Sequence, residues 1–287
     1  MIAVWKHELR LYFHSLTAYV FGAFLLVVVG LGAMLYNIQA AVSNFEYVLS
    51  FSSLVFVVIV PILTMRVLAE ERKQKTDQLL YTLPISTTQV ILGKYLALLV
   101  VYLIPLAIIS LYPLIFAQFG DVYLPTSYGS IAAFFLMGAA LIAVGVFISS
   151  LTDNQGFAAG IGIAVVLLNY YSVSLSEYIS STAIGSLVAL YVIIVLLSFL
   201  VRYLTKNERL AYGVCFALIV LLAVLFFADS TLFEGLLPSI MEKLSLFERF
   251  NAFVNGVFDL TAVVYYLSVM VFFLLLSVQS LEKRRYN

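Results

Sequence analysis

Cysteine, histidine and charge are all scarce in this sequence, and each shortage excludes something. There is one cysteine, Cys215, inside an apolar run, so no intramolecular disulfide can form. The two histidines, His7 and His14, lie close together near the start, and no His-Glu-x-x-His pattern occurs. A zinc-hydrolase helix of that type is therefore absent. No histidine falls in a long apolar run, which argues against a Ser–His hydrolase site within a membrane. Charged residues make up only 10% of the 287 residues, whereas soluble domains carry about 25%. So little charge cannot coat a water-facing surface. The formal net charge is zero, which gives no sign of a nucleic-acid partner. No Gly-x-x-x-x-Gly-Lys-Ser/Thr loop is present to cradle a phosphate.

What the chain has in abundance is apolar sequence, 64% of its residues. A membrane span needs about 20 such residues, and eight stretches qualify. They are Thr17–Ile38, Tyr47–Val67, Tyr95–Phe119, Ser130–Leu151, Phe157–Leu175, Ile184–Leu204, Ala211–Ala228 and Leu260–Ser280. The expectation is an all-α polytopic membrane protein, a single transmembrane domain over residues 1–287 with about eight transmembrane helices. The count falls to six if residues 184–228 are re-entrant. None of these spans carries a carboxylate, Lys or Arg near its middle. Proton- and ion-coupled carriers usually place ionisable groups there.

Residues 1–16 do not read as a secretory signal peptide, because charge and aromatics are mixed throughout. Ile2, Trp5, Leu9, Tyr12, Phe13 and Leu16 share one helical face, with Lys6, Arg10 and His14 beside it. This pattern predicts a helix lying in the membrane interface. Lys and Arg collect in cytoplasmic loops. With the N-terminus inside, thirteen of the fifteen basic residues fall on that side, and only Lys243 and Arg249 fall outside. Both termini and the loop at 68–94 are then cytoplasmic, and residues 229–259 are external. Within 229–259, Leu236, Ile240, Leu244, Phe247 and Phe250 recur near helical spacing, which predicts short amphipathic helices.

Several smaller features fit this frame. Gly138 with Gly145, and Gly156 with Gly160, can let helices approach closely, chiefly within one subunit. Pro61, Pro105 and Pro113 each remove a backbone donor and can kink a span. Glu70 and Glu71 are adjacent and point about 100° apart on a helix. They are expected at a solvated or partner-facing helix end, not in a shared acid–base site. Asp259 is placed to cap the last span.

The loop at 68–94 is the most specific feature. It reads Glu70-Glu71-Arg72, Thr76, Leu79-Leu80, then Thr82-Leu83-Pro84-Ile85-Ser86. Thr76 can cap a short helix with an apolar face of Leu79, Leu80 and Leu83, and Pro84 ends it. Ser86 or Thr87 can cap the helix that follows. These residues resemble the cytoplasmic loop of the ABC type-2 exporter permeases, whose members often have Gly where this chain has Lys75. The pattern Phe250-x-x-Phe253-x-x-Gly256-x-x-Asp259 and the ending Leu281-Glu282-Lys283-Arg284-Arg285 are similar to the gliding-motility-associated branch.

That resemblance implies the transmembrane subunit of an ATP-binding-cassette exporter in a bacterial cytoplasmic membrane. It implies a separate ATPase carrying ATP and Mg, with no cofactor in this chain. Glu70, Glu71, Arg72, Thr76, Leu79, Leu80, Leu83 and Pro84 would form the ATPase-docking, coupling segment. The expected partners are ABC ATPase subunits, a second permease subunit (identical or different), membrane lipid and an accessory protein with an external domain. The competing class is a self-contained secondary carrier or channel, which would transport without an ATPase.

Overall fold

The computed structural model describes residues 1–75, 85–178, 182–205 and 208–286. Among these the chain is helical and has no strand. It divides into two compact units, 1–170 with 249–287, and 171–248.

In the first unit, α1 (Ile2–His14) leads into α2 (Leu16–Ala33), which continues as a π-helical turn, Met34–Gln39. Next come α3 (Glu46–Ser53), α4 (Phe56–Thr64) and the short α5 (Ala69–Lys73). Then follow α6 (Thr87–Ile109), α7 (Tyr112–Phe116), α8 (Leu124–Leu151) and α9 (Gln155–Tyr170). The second unit holds α10 (Ser172–Tyr178), α11 (Ala183–Thr205), α12 (Glu208–Ala228), a 3-10 turn at Ser230–Phe233 and α13 (Leu236–Leu244). Finally α14 spans Leu246–Val254 and α15 spans Leu260–Tyr286.

Among the described residues, four helices are long and apolar enough to cross a membrane: Leu16–Gln39, Thr87–Phe116, Leu124–Leu151 and Leu260–Lys283. The number rises to six if α3 with α4, and α9 with α10, each count as one span. The remaining two expected spans correspond to α11 and α12, whose apolar stretches, Ala183–Leu196 and Tyr212–Ala228, are shorter. In the second unit α11 and α12 pack against each other. Arg202 of α11 pairs with Glu208 and donates to the Tyr212 hydroxyl at 2.7 Å.

The core of the first unit is α8, which is buried along almost all of Ile131–Ser150. It packs against α3, α4, α6, α9 and α15. Small residues permit this. A methyl group on Gly138 would lie 2.6 Å from the buried Tyr102 ring, and one on Gly145 would lie 2.2 Å from Thr64 Oγ1. Tyr102 in turn donates to the Phe134 carbonyl at 2.8 Å. Gly138 and Gly145 therefore serve packing within the chain. Gly160 has no neighbour within 4 Å, and Gly156 meets only Asn154.

Helices α3 and α4 meet at 60°. The break lies at Leu54–Val55, six residues before Pro61, and α4 runs on through that proline. Serine side chains bond back to the helix next to the bend. Ser52 Oγ donates to the Val48 carbonyl and Ser53 Oγ to Ser50, both at 2.7 Å, and such back-bonding bends helices. Pro105 likewise sits inside continuous α6, while Pro113 occupies the first turn of α7, where no donor is needed.

Candidate functional site

The base of the loop is organised around Lys94, eight residues into α6. Its ammonium lies 2.7 Å from Glu8 Oε1 on α1 and 2.7 Å from Glu71 Oε1 on α5. The side chains of Lys94 and Glu8 are 2% and 7% exposed, so that pair is nearly dry, while Glu71 is 24% exposed. An ion taken out of water must recover its hydration energy from partners, and Lys94 has two. Gly93 makes this possible, because a methyl group there would come within 3.0 Å of Val4 on α1. A larger residue would hold α1 away from α6 and Glu8 away from Lys94.

The side of α1 turned into the protein carries Glu8 as well as Tyr12 of the apolar face, while Trp5, Leu9 and Phe13 of that face are half-buried. Glu8 and Tyr12 are buried, whereas Ile2 is 65% exposed and Leu16 79%. Hydropathy alone assigns Glu8 to solvent, but its ion pair reverses that. Burial, then the charges of Glu8, Glu70 and Glu71, push the Tyr12 hydroxyl well above the usual tyrosine range. It stays neutral beside three carboxylates. A cavity of about 710 Å³ opens here, lined by Glu8, Tyr12, Arg66, Glu70, Glu71 and Lys94 among others.

Helix α5 is held from the side. The amides of Leu68 and Ala69, unpaired donors at its start, donate to Ser149 Oγ of α8 at 3.1 and 3.2 Å. Glu70 and Glu71 are half-buried and Arg72 is buried. Glu71 thus faces the protein through Lys94, unlike the solvated or partner-facing helix end expected for the pair. After α5, Lys75 adopts a left-handed conformation, φ 57°. That is the position where helices usually end on glycine, and where the resembling permeases often carry one. Here the turn is made at lysine. Thr76, Leu79, Leu80, Leu83 and Pro84 lie outside the described residues.

On the far side of the loop, Ser86 caps α6, as expected, by accepting from the Gln89 amide at 3.2 Å. Thr87 donates to Glu282 of α15 at 2.7 Å. Both strands entering the loop are thus anchored, one to α1, α6 and α8, the other to α15. Sequence reasoning missed the Glu8–Lys94–Glu71 cluster. One signal for it was available, since Glu8 is the only acidic residue before Glu46.

The motif Phe250-x-x-Phe253-x-x-Gly256-x-x-Asp259 is structural. Phe250 packs on Phe134, with ring centroids 5.8 Å apart, and the Phe253 carbonyl accepts from Ser130 Oγ at 2.9 Å. Gly256, at φ 78°, closes α14 with a Schellman motif: its amide donates to the Phe253 carbonyl and that of Val257 to the Ala252 carbonyl. Asp259 caps α15 through the Thr261 amide at 2.8 Å, and hydrogen bonding from Thr261 holds its carboxyl below the usual range. Among the described residues, no group of three or more His, Cys, Asp or Glu could hold a metal ion.

Residues 33–175 match the model of a family described as ABC-2 family transporter protein. The matched stretch contains the whole loop and ends near the start of the second compact unit. Together with the long apolar helices, it supports a transmembrane permease of the ABC-2 transporter family. No curated protein and no solved structure matches the chain in the same comparisons.

Proposed function

We propose that this chain is the membrane subunit of an ATP-driven exporter, with ATP and Mg bound by separate ATPase subunits that dock on the loop between α5 and α6. The observation that carries this reading is the match over residues 33–175, which contains that loop, set on a base tied to three helices through Lys94. Residues 76–84, with Glu70–Arg72 before them, act as the coupling segment. A force on that segment reaches α1 and α6 through Glu71 and Lys94, and α8 through Ser149. The permease works as a pair, homo- or heterodimeric, with both termini in the cytoplasm and eight spans including α11 and α12. An accessory protein with an external domain joins it, and the resemblance of the terminal motif supports a reading of the chain within the gliding-motility-associated branch.

Affinity purification tests the division of labour. The tagged chain, extracted from its own membranes, should bring with it an ATPase bearing a phosphate-binding loop. Stripped of that partner it should bind no ATP. Specific ATP binding or substrate transport by the verified-pure subunit would refute the proposal.

Orientation is tested separately. In a Cys215→Ala background, Thr76→Cys, Asn207→Cys and Glu242→Cys are probed with an impermeant thiol reagent. In intact cells only Glu242→Cys should react. Labelling of Thr76→Cys before lysis would invert the topology, and labelling of Asn207→Cys would exclude eight spans.

A further inference from the structure

At the ends of the helices remote from Lys94, the first unit contains a second cavity, about 400 Å³. It lies where the segment before α3, the start of α8 and the turn after α14 converge. Its volume is within the range of small-molecule sites. Two carboxylates line it, Glu46 and Asp121, with the amides of Asn44 and Asn255 and the rings of Tyr47 and Tyr123. Among the described residues lining it there is no Lys, Arg or His.

Glu46 is the telling group. It is 2% exposed. Its Oε1 accepts from Ser127 Oγ at 2.8 Å, but its Oε2, equally buried, has no hydrogen-bond partner. A buried carboxylate oxygen without a partner is costly. The turn after α14 is fixed by the left-handed Gly256, so Asn255 is held at the cavity wall and not on a loose loop.

We propose that this cavity binds a primary ammonium group, with Glu46 Oε2 as its buried acceptor and Asp121 as the second charge at the entrance. A primary ammonium offers three donors and no acceptor, which suits a lining of carboxylate and amide oxygens. Tyr47 and Tyr123, which also line the cavity, offer rings for cation–π attraction. A divalent metal fits less well, because calcium needs six to eight oxygens close around it. The site is independent of the ATPase coupling proposed above. Its ligand is either the headgroup of an aminophospholipid or a soluble amine.

The test uses the full chain in phosphatidylglycerol nanodiscs, with thermal unfolding followed as ethanolamine is added. Saturable stabilisation is expected. Glu46→Gln keeps the shape and an oxygen for Ser127, and it should weaken ethanolamine binding by roughly 10- to 100-fold. It should not lower the unfolding midpoint of the ligand-free protein. Asp121→Asn, at an exposed position, should weaken binding a few-fold while leaving folding unchanged. Discs containing phosphatidylethanolamine separate the sources. If the headgroup fills the site, added ethanolamine produces no further shift there; if the ligand is soluble, the shift equals that in phosphatidylglycerol. Three results would overturn the proposal: no saturable response to ethanolamine, an equal response to tetramethylammonium, or wild-type affinity in both variants. A response to calcium in place of ethanolamine would overturn it as well.

Discussion

Lys94→Met should destabilise the permease by about 3–5 kcal/mol, the usual cost of stripping one partner from a buried ion pair. The substitution leaves Glu8 and Glu71 facing each other without the cation that holds both at 2.7 Å. Methionine fills nearly the same volume, so the loss is electrostatic and not a cavity effect. Reduced yield, a lowered unfolding midpoint and exposure of α1 to protease are the expected signs. Adding Glu8→Gln and Glu71→Gln should recover most of the loss, because buried ionic clusters often contribute little net stability over neutral replacements. Full stability of Lys94→Met alone would show that the cluster does not hold the junction. Failure of the triple variant to recover would show that the loss does not come from the two carboxylates left unpaired.

On the proposed reading, the double substitution Leu79→Asp, Leu80→Asp should separate the chain from a docked ATPase without removing it from the membrane. If residues 76–84 dock as proposed, two carboxylates then face an apolar contact. Burying an unpaired charge is prohibitive. The membrane helices are untouched, so the chain should accumulate at its normal level, fail to retain the ATPase and fail to transport. Unchanged co-purification together with unchanged transport would remove this segment as the docking element. Loss of the chain itself would show that the leucines pack within the permease, which equally removes them from the interface.

Span positions and caps were legible because they are local. Thr17–Ile38 was expected where Leu16–Gln39 is found, and Leu260–Ser280 where the last span runs to Lys283. Ser86 and Asp259 cap the helices they precede, as their residue types suggested. The short helices after Asp229 also form, although Leu237 is buried there and Leu244 is 56% exposed. What sequence could not show depends on distant partners. Glu8 and Lys94 are 86 residues apart, and only their meeting makes a carboxylate the buried side of α1. The bend between α3 and α4 was sought at Pro61, the familiar breaker, but serine hydroxyls at Ser52 and Ser53 mark it. Glu46 passed unremarked because nothing nearby in sequence reveals that one of its oxygens is buried alone.

The 86-residue gap between Glu8 and Lys94 also imposes an order on biogenesis. At ordinary synthesis rates of about 5–20 residues per second, Glu8 is made roughly 4–17 s before its counter-ion. During that interval its carboxylate lacks the cation that accompanies it into its buried site, so α1 cannot seat before α6 is made. Its docking is then gated by arrival of α6 and its lysine. Helix α1, made before α6, is thereby a late piece of the assembled subunit, and its seating reports that the helices around the loop are in place.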